Sequence, residues 1–234
     1  MYKRQITDNS GILTPTSTTS AVAKDVDNIS TEEEQNAPNN GDGNGDGIAD
    51  AQQSDVSSYM NPIVDGYVTT QVTGDCNTID QVSYHVEPEL GVSDDQFDYI
   101  IGLHGVELSC STVGGSATIT HFWDQEYDIS EWNYHKFMNG EYVDFNDQIT
   151  YGTATIGSNT VTTVSFTLTD GGTFDADGTE NGAISDPAGP AVSVQDLSET
   201  GTRAWTAIVL GLALIVATTV ISRGKSSEMQ SDGN

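Results

Sequence analysis

The segment Asp42-Gly43-Asn44-Gly45-Asp46-Gly47-Ile48-Ala49-Asp50 carries the residue types and spacing that point most directly to chemistry. Oxygen-bearing side chains at its first, third, fifth and ninth positions, with glycine at the sixth, follow the opening of a calcium-binding loop. Three carboxylates and one amide converging in so short a stretch repel one another unless a hard divalent cation neutralises them. Gly47 permits the sharp turn, and the Ile48 carbonyl supplies the seventh-position ligand. The twelfth position holds Gln53 rather than a bidentate Glu, which removes one charge and one oxygen and lowers the expected affinity. Asp55 is near enough in sequence to compensate. The expected ion is calcium, and its expected ligands are Asp42, Asn44, Asp46, Ile48, Asp50 and Gln53. The competing reading is a solvated Gly/Asp linker.

A second acidic run contains Asp170, Asp175 and Asp177. Its spacing completes no calcium loop, and turn chemistry accounts for most of it; a second metal site on these three residues is the rival expectation. The four histidines, His85, His104, His121 and His135, all fall in predicted strands and are read as ordinary strand positions. Trp123, Tyr127, Trp132 and Tyr134 cluster in sequence. They are expected to pack in a core, with a sugar-stacking face as the alternative. No Gly-x-Ser-x-Gly, His-Glu-x-x-His or phosphate-binding loop is present, and no enzyme activity is expected. Cys76 and Cys110 form an even pair without metal-type spacing. In an exported chain they are expected to make a disulfide. Closing a loop of about 35 residues stabilises by about 3–4 kcal/mol in the chain-entropy model. Two buried free thiols are the alternative.

The elements that must position these groups are written in the rest of the chain. Between about residue 67 and residue 169, short runs rich in Val, Thr, Ile, Tyr and Phe alternate with Gly, Asn and Asp clusters. Strands are predicted over 66–73, 79–86, 97–108, 116–123, 132–137, 142–145, 149–156 and 161–169. Asn139-Gly140 between two such runs is a hairpin signal. Val164, Phe166 and Leu168 alternate with Ser165, Thr167 and Thr169, as in a half-buried strand. No helical stripe of similar length precedes residue 204. The expected fold is all-β, an antiparallel β-sandwich over 59–191. A disordered linker over residues 1–40 and the calcium loop over 41–58 are expected to precede it. The linker is rich in Thr, Ser, Asn, Asp and Glu, and Glu32-Glu33-Glu34 within it reads as a solvated charge run.

The charge is lopsided. The 234 residues include 35 Asp and Glu against 7 Lys and Arg, a formal net charge of -28. That excludes binding nucleic acid by neutralising phosphates. Between Asp25 and Thr202 the only Lys or Arg is Lys136. Residues 204–221 carry no charge and, as a helix, span about 27 Å against a hydrocarbon core of about 30 Å. With Trp205 at the interface and Arg223 and Lys225 beyond it, this is the expected transmembrane helix. The positive-inside rule then puts the 222–234 tail in the cytoplasm and the acidic body outside. The N-terminus shows no apolar export segment. Met1-Tyr2-Lys3-Arg4-Gln5 resembles a translated transposon-end sequencing adapter. Residues 1–5 are therefore read as foreign, with the signal peptide missing upstream. The rival is a tail anchor with a cytosolic body. A halophilic source is a further reading of the acidity.

Several motifs resemble known families. Asp42 to Gln53 is closer in spacing to dockerin and thrombospondin type 3 repeats than to paired EF-hands. Leu197-Ser198-Glu199-Thr200-Gly201, before an apolar stretch and a basic tail, resembles the sorting signal Leu-Pro-x-Thr-Gly of Gram-positive wall proteins, with Ser198 in place of the proline. The resemblance implies a sortase that cuts between Thr200 and Gly201 and joins Thr200 to peptidoglycan; a plain membrane anchor is the alternative. Further motifs run in order along 44–191: Asn44 to Gln53, Gly66-Tyr67-Val68-Thr69, Trp132 to Phe137, Thr167 to Gly172, Asp175 to Gly178, Asn181 to Ile184 and Asp186 to Pro190. Together they resemble the bacterial choice-of-anchor U domain, with Ala49 and Ala188 as mild departures. That family implies location at the cell surface and assigns no chemistry. The expected role is thus a surface-anchored display or adhesion-type module stabilised by calcium. A carbohydrate-binding module and a wall-acting hydrolase are the alternatives.

Overall fold

The computed structural model describes residues 26–194. The expected foreign start at residues 1–5, the expected sorting signal at 197–201, the expected transmembrane helix at 204–221 and the expected cytoplasmic tail at 222–234 lie outside the described residues. Two antiparallel sheets face each other. The first has the order β1 (Val56–Asn61), β2 (Gly66–Gly74), β6 (Ser116–Trp123), β10 (Asn159–Thr169), β9 (Thr150–Ile156). The second runs β3 (Thr78–His85), β5 (Leu103–Ser109), β11 (Ala183–Ser193), β7 (Asn133–Met138), β8 (Glu141–Asp144), and the short β4 (Phe97–Asp98) also pairs with β11. The β-sandwich expected from the alternating runs is therefore present. In β6 every second residue is buried, and Ala117, Ile119, His121 and Trp123 form its inner face. Val164, Phe166 and Leu168 do the same in β10. From the other sheet Val82, Val106, Leu108, Ile184 and Ala188 meet them in one core. Cys76 and Cys110 are joined as a disulfide that closes the β2–β3 connection onto the end of β5.

Three expectations are corrected. Residues 97–108 do not form one strand; a turn through Gly102, at φ 72°, separates β4 from β5. The strands β1 and β11 were not predicted. Prolines argue against a central strand, because a residue without N–H breaks the ladder, and β11 contains Pro187 and Pro190. The fold accommodates both. Residues 183–188 pair with β5 and 188–191 pair with β7, so the ladder changes sides at Ala188.

The third correction concerns the linker. Residues 26–40 are ordered onto the sandwich. The helix α1 (Thr31–Gln35) starts at Ser30, whose hydroxyl accepts from the Glu33 N–H, and its early glutamates suit the helix N-terminus. Glu32 is exposed, but Glu34 is fully buried. The Met60 N–H donates to Glu33 Oε1 at 3.1 Å and the Ser58 N–H to Glu34 Oε1 at 3.5 Å. The supposed charge run thus covers the open edge of β1, where unpaired backbone donors would otherwise recruit another strand.

Candidate functional site

The acidic loop follows α2 (Pro38–Gly41), a turn in which Asn39 (φ 57°, ψ 34°) and Asn40 (φ 62°, ψ 41°) adopt left-handed backbone. Asn and Gly tolerate that region best, and it bends the chain back so that Asp42 faces its own loop. Asp42 Oδ2 accepts from the Gly47 N–H at 3.1 Å and from Asn39 Nδ2 at 2.9 Å. Gly47 has φ 90°, the turn expected of it. Asn44 Oδ1 accepts from the Asp46 N–H, and Asp46 Oδ1 accepts from the Ile48 N–H at 2.8 Å. The Gln53 side-chain amide reaches both Asp46 Oδ1 and the Ile48 carbonyl, at 3.4 Å each. The twelfth-position side chain therefore lies against the fifth- and seventh-position groups. Asp42 and Asp46 lie within electrostatic reach of Asp50.

Asp50 is the buried member. A short helical turn over Asp50–Gln52 tucks it beneath the loop. Its Oδ2 accepts from the Gly43 N–H at 2.8 Å and from Ser58 Oγ at 2.6 Å. Ser58 Oγ in turn lies 2.6 Å from Thr69 Oγ1 on β2. Gly43 is held so close that an added Cβ would sit 2.1 Å from Thr69 Oγ1 and 2.8 Å from Ser58 Oγ. Burial, helped by the charges of Asp42 and Asp46, raises the Asp50 carboxyl to about 6 despite its hydrogen bonds to Ser58 and Gly43. Two carboxylate oxygens in the loop, Asp42 Oδ1 and Asp50 Oδ1, are buried without a hydrogen-bond partner. Ser58 and Thr69 were missed in the sequence, since nothing in the loop's spacing announces a partner on another strand. Among the described residues no three His, Cys, Asp or Glu side chains converge tightly enough to hold a metal by themselves. Any ion at this loop must also use amide and carbonyl oxygens, as its spacing implies.

The acids of the second run are engaged with backbone. Asp170 accepts from the N–H groups of Gly114, Asn181 and Gly182 at 2.7–2.9 Å. Burial works against its charge, but the backbone donors outweigh that and hold its carboxyl below the usual range. Asp175 accepts from Gly171 and Ser185, and Asp177 from Thr179 and the Asn181 side chain. Backbone N–H groups engage all three, Asp177 within its own turn and Asp170 from as far away as Gly114.

The aromatic run divides between interior and rim. Trp123 and Tyr134 are buried in the core, which removes half of the sugar-stacking alternative. Tyr127 and Trp132 pack against Trp123, with Trp132 edge-on at 5.5 Å between ring centroids. All four histidines lie in strands. His104 and His121 are fully buried between the sheets with ring centroids 5.5 Å apart. Each spends Nδ1 on a neighbour, Tyr59 OH and Thr70 Oγ1 respectively. Burial lowers His104 to about 4 and takes His121 well below the ordinary value. His135 lines an open depression of about 550 Å³ with Asp94, Phe97, Glu141, Tyr142 and Asp144.

Comparison with protein-family models, with curated proteins and with solved structures gives no match for this chain.

Proposed function

We propose that the chain is a surface-anchored display module of a bacterial envelope, in which one calcium ion fastens the acidic loop of residues 42–53 to the sandwich. The observation that carries this reading is the pair of buried, unpartnered carboxylate oxygens, Asp42 Oδ1 and Asp50 Oδ1, inside a calcium-spaced loop. Buried carboxylate oxygens are normally satisfied, and an exception calls for a partner. Asp42, Asn44, Asp46, the Ile48 carbonyl, Asp50 and Gln53 would hold the ion. Its charge neutralises three carboxylates that otherwise repel one another. The ordered motifs that resemble the choice-of-anchor U domain support a location at the cell surface in this reading. In this reading residues 204–221 anchor the chain in the membrane, the signal at 197–201 presents Thr200 to a sortase for transfer to peptidoglycan, and residues 26–194 project outward.

Limited proteolysis and thermal melting of the full chain, with excess calcium or excess chelator, test the calcium clamp. Chelation is expected to lower the melting temperature and open cleavage within 42–50. Identical melting curves and cleavage patterns would contradict it. The anchor is tested by placing an export signal before residue 6 and treating intact Gram-positive cells with external protease. Digestion of the acidic body supports surface display, and full protection opposes it.

A further inference from the structure

Lys136, the single Lys or Arg between Asp25 and Thr202, does not face solvent. Its Nζ contacts Asp186 Oδ1, and both side chains are completely buried. Lys136 on β7 stands opposite Ala188 on β11, and Asp186 lies two residues along β11 on the same inner face. Such diagonal neighbours are within reach of a long side chain, and small Ala188 leaves room for the Lys136 stem. The Phe145 ring lies 6.0 Å from Nζ. Among the described residues Nζ has no second hydrogen-bond partner, and Asp186 Oδ2 has none.

This is a poor place for two ions. Burial outweighs the attraction of Lys136 and raises the Asp186 carboxyl from its ordinary value. Transfer of one proton from Lys136 to Asp186 would leave an amine against a carboxylic acid, the two partners of an amide condensation.

We propose that Lys136 and Asp186 condense to an intramolecular amide that cross-links β7 to β11. The ammonium first gives a proton to the carboxylate. The freed Nζ lone pair adds to Cγ of Asp186 and forms the C–N bond. One carboxyl oxygen then breaks away as water, carrying two of the three hydrogens the ammonium held; the amide nitrogen keeps the third. No oxidant, reductant or co-reactant is consumed. A dry core favours the neutral reactants, and direct contact makes the addition unimolecular. The Tyr134 hydroxyl is buried without a partner and lies within electrostatic reach of the Asp186 carboxyl. It is a free donor of the kind that stabilises charge developing on a carbonyl oxygen.

The sequence gives a clean test. Lys136 is the sole tryptic site between Lys24 and Arg203. The full chain, extracted in detergent, is denatured, reduced, alkylated and digested with trypsin. A cross-linked chain yields residues 25–203 as one covalent unit, lighter than the linear 25–203 peptide by one water, with the branch mapped to Lys136 and Asp186. Lys136→Arg is expected to release 25–136 and 137–203 as separate fragments. The wild-type digest decides the matter even if that variant fails to fold. Complete separation of 25–136 and 137–203 from the wild-type chain, or loss of water mapped only to an Asp-Gly succinimide, would overturn the proposal.

Discussion

Asp50 Oδ2 accepts a 2.6 Å hydrogen bond from Ser58 Oγ, and through this contact the acidic loop is fastened to β1. The same carboxylate keeps Oδ1 buried and unpartnered. One residue therefore joins the loop to the sandwich and keeps a second oxygen free for the proposed ion.

Asp50→Asn separates those two roles. With the Asp50 carboxyl raised to about 6, its ionisation costs stability when no ion is bound. That cost is absent while the group is protonated and appears as pH rises from about 4 through about 6. Without calcium, Asp50→Asn is expected to be more stable than wild type at pH 7 by about 1–3 kcal/mol, and as stable at pH 4. With saturating calcium the order should invert at pH 7. Denaturant titrations at both pH values, with calcium or chelator, check each part.

Gly43→Ala puts a methyl group against Thr69 Oγ1. The expected loss is about 1–3 kcal/mol, the usual cost of overpacking. Thr69→Ala should relieve part of it, so the double variant should lose less than the sum of the singles. Additive losses in a double-mutant cycle would show that the loop does not press on Thr69.

Glu33→Ala removes the acceptor for the Met60 N–H on the exposed edge of β1. The expected loss is about 1 kcal/mol. Hydrogen exchange should quicken at Met60 and leave the central β6 unchanged. Concentration-dependent association of the variant would further show that α1 guards this edge.

His104 and His121 give the sandwich an acid-labile interior. Their folded pKa values lie below the ordinary 6.5, because burial opposes the charged form. Such groups add stability above about 6.5 and lose it as pH falls toward the folded value. For His104, lowered to about 4, the full effect is on the order of 3 kcal/mol. His104→Gln should flatten the fall in stability between pH 6.5 and 4, measured with the calcium loop kept empty by chelator at every pH.

Much of this was legible in the residues. The alternation of Val164, Phe166 and Leu168 placed the core face of β10, and the cysteine pair announced its bond. The sharp turn expected at Gly47 is present, at φ 90°. What stayed hidden depends on distant partners. β11 was concealed because Pro187 and Pro190 disqualify a strand, and only the change of ladder at Ala188 makes them harmless. The residues 26–40 look disordered by composition, since their glutamates become structural only against the free edge of β1. Lys136 stood out as a lone cation, but its contact with Asp186, 50 residues away, exists only once β7 and β11 lie side by side.

Calorimetric titration of the calcium-free full chain with calcium at pH 7 tests the central claim most directly. One ion is expected to bind per chain, with binding lost in Asp46→Ala and weakened as pH falls through about 6, where Asp50 takes up its proton. No binding heat at any injection temperature, or binding unaltered in Asp46→Ala, would contradict the assignment of residues 42–53 as a calcium clamp.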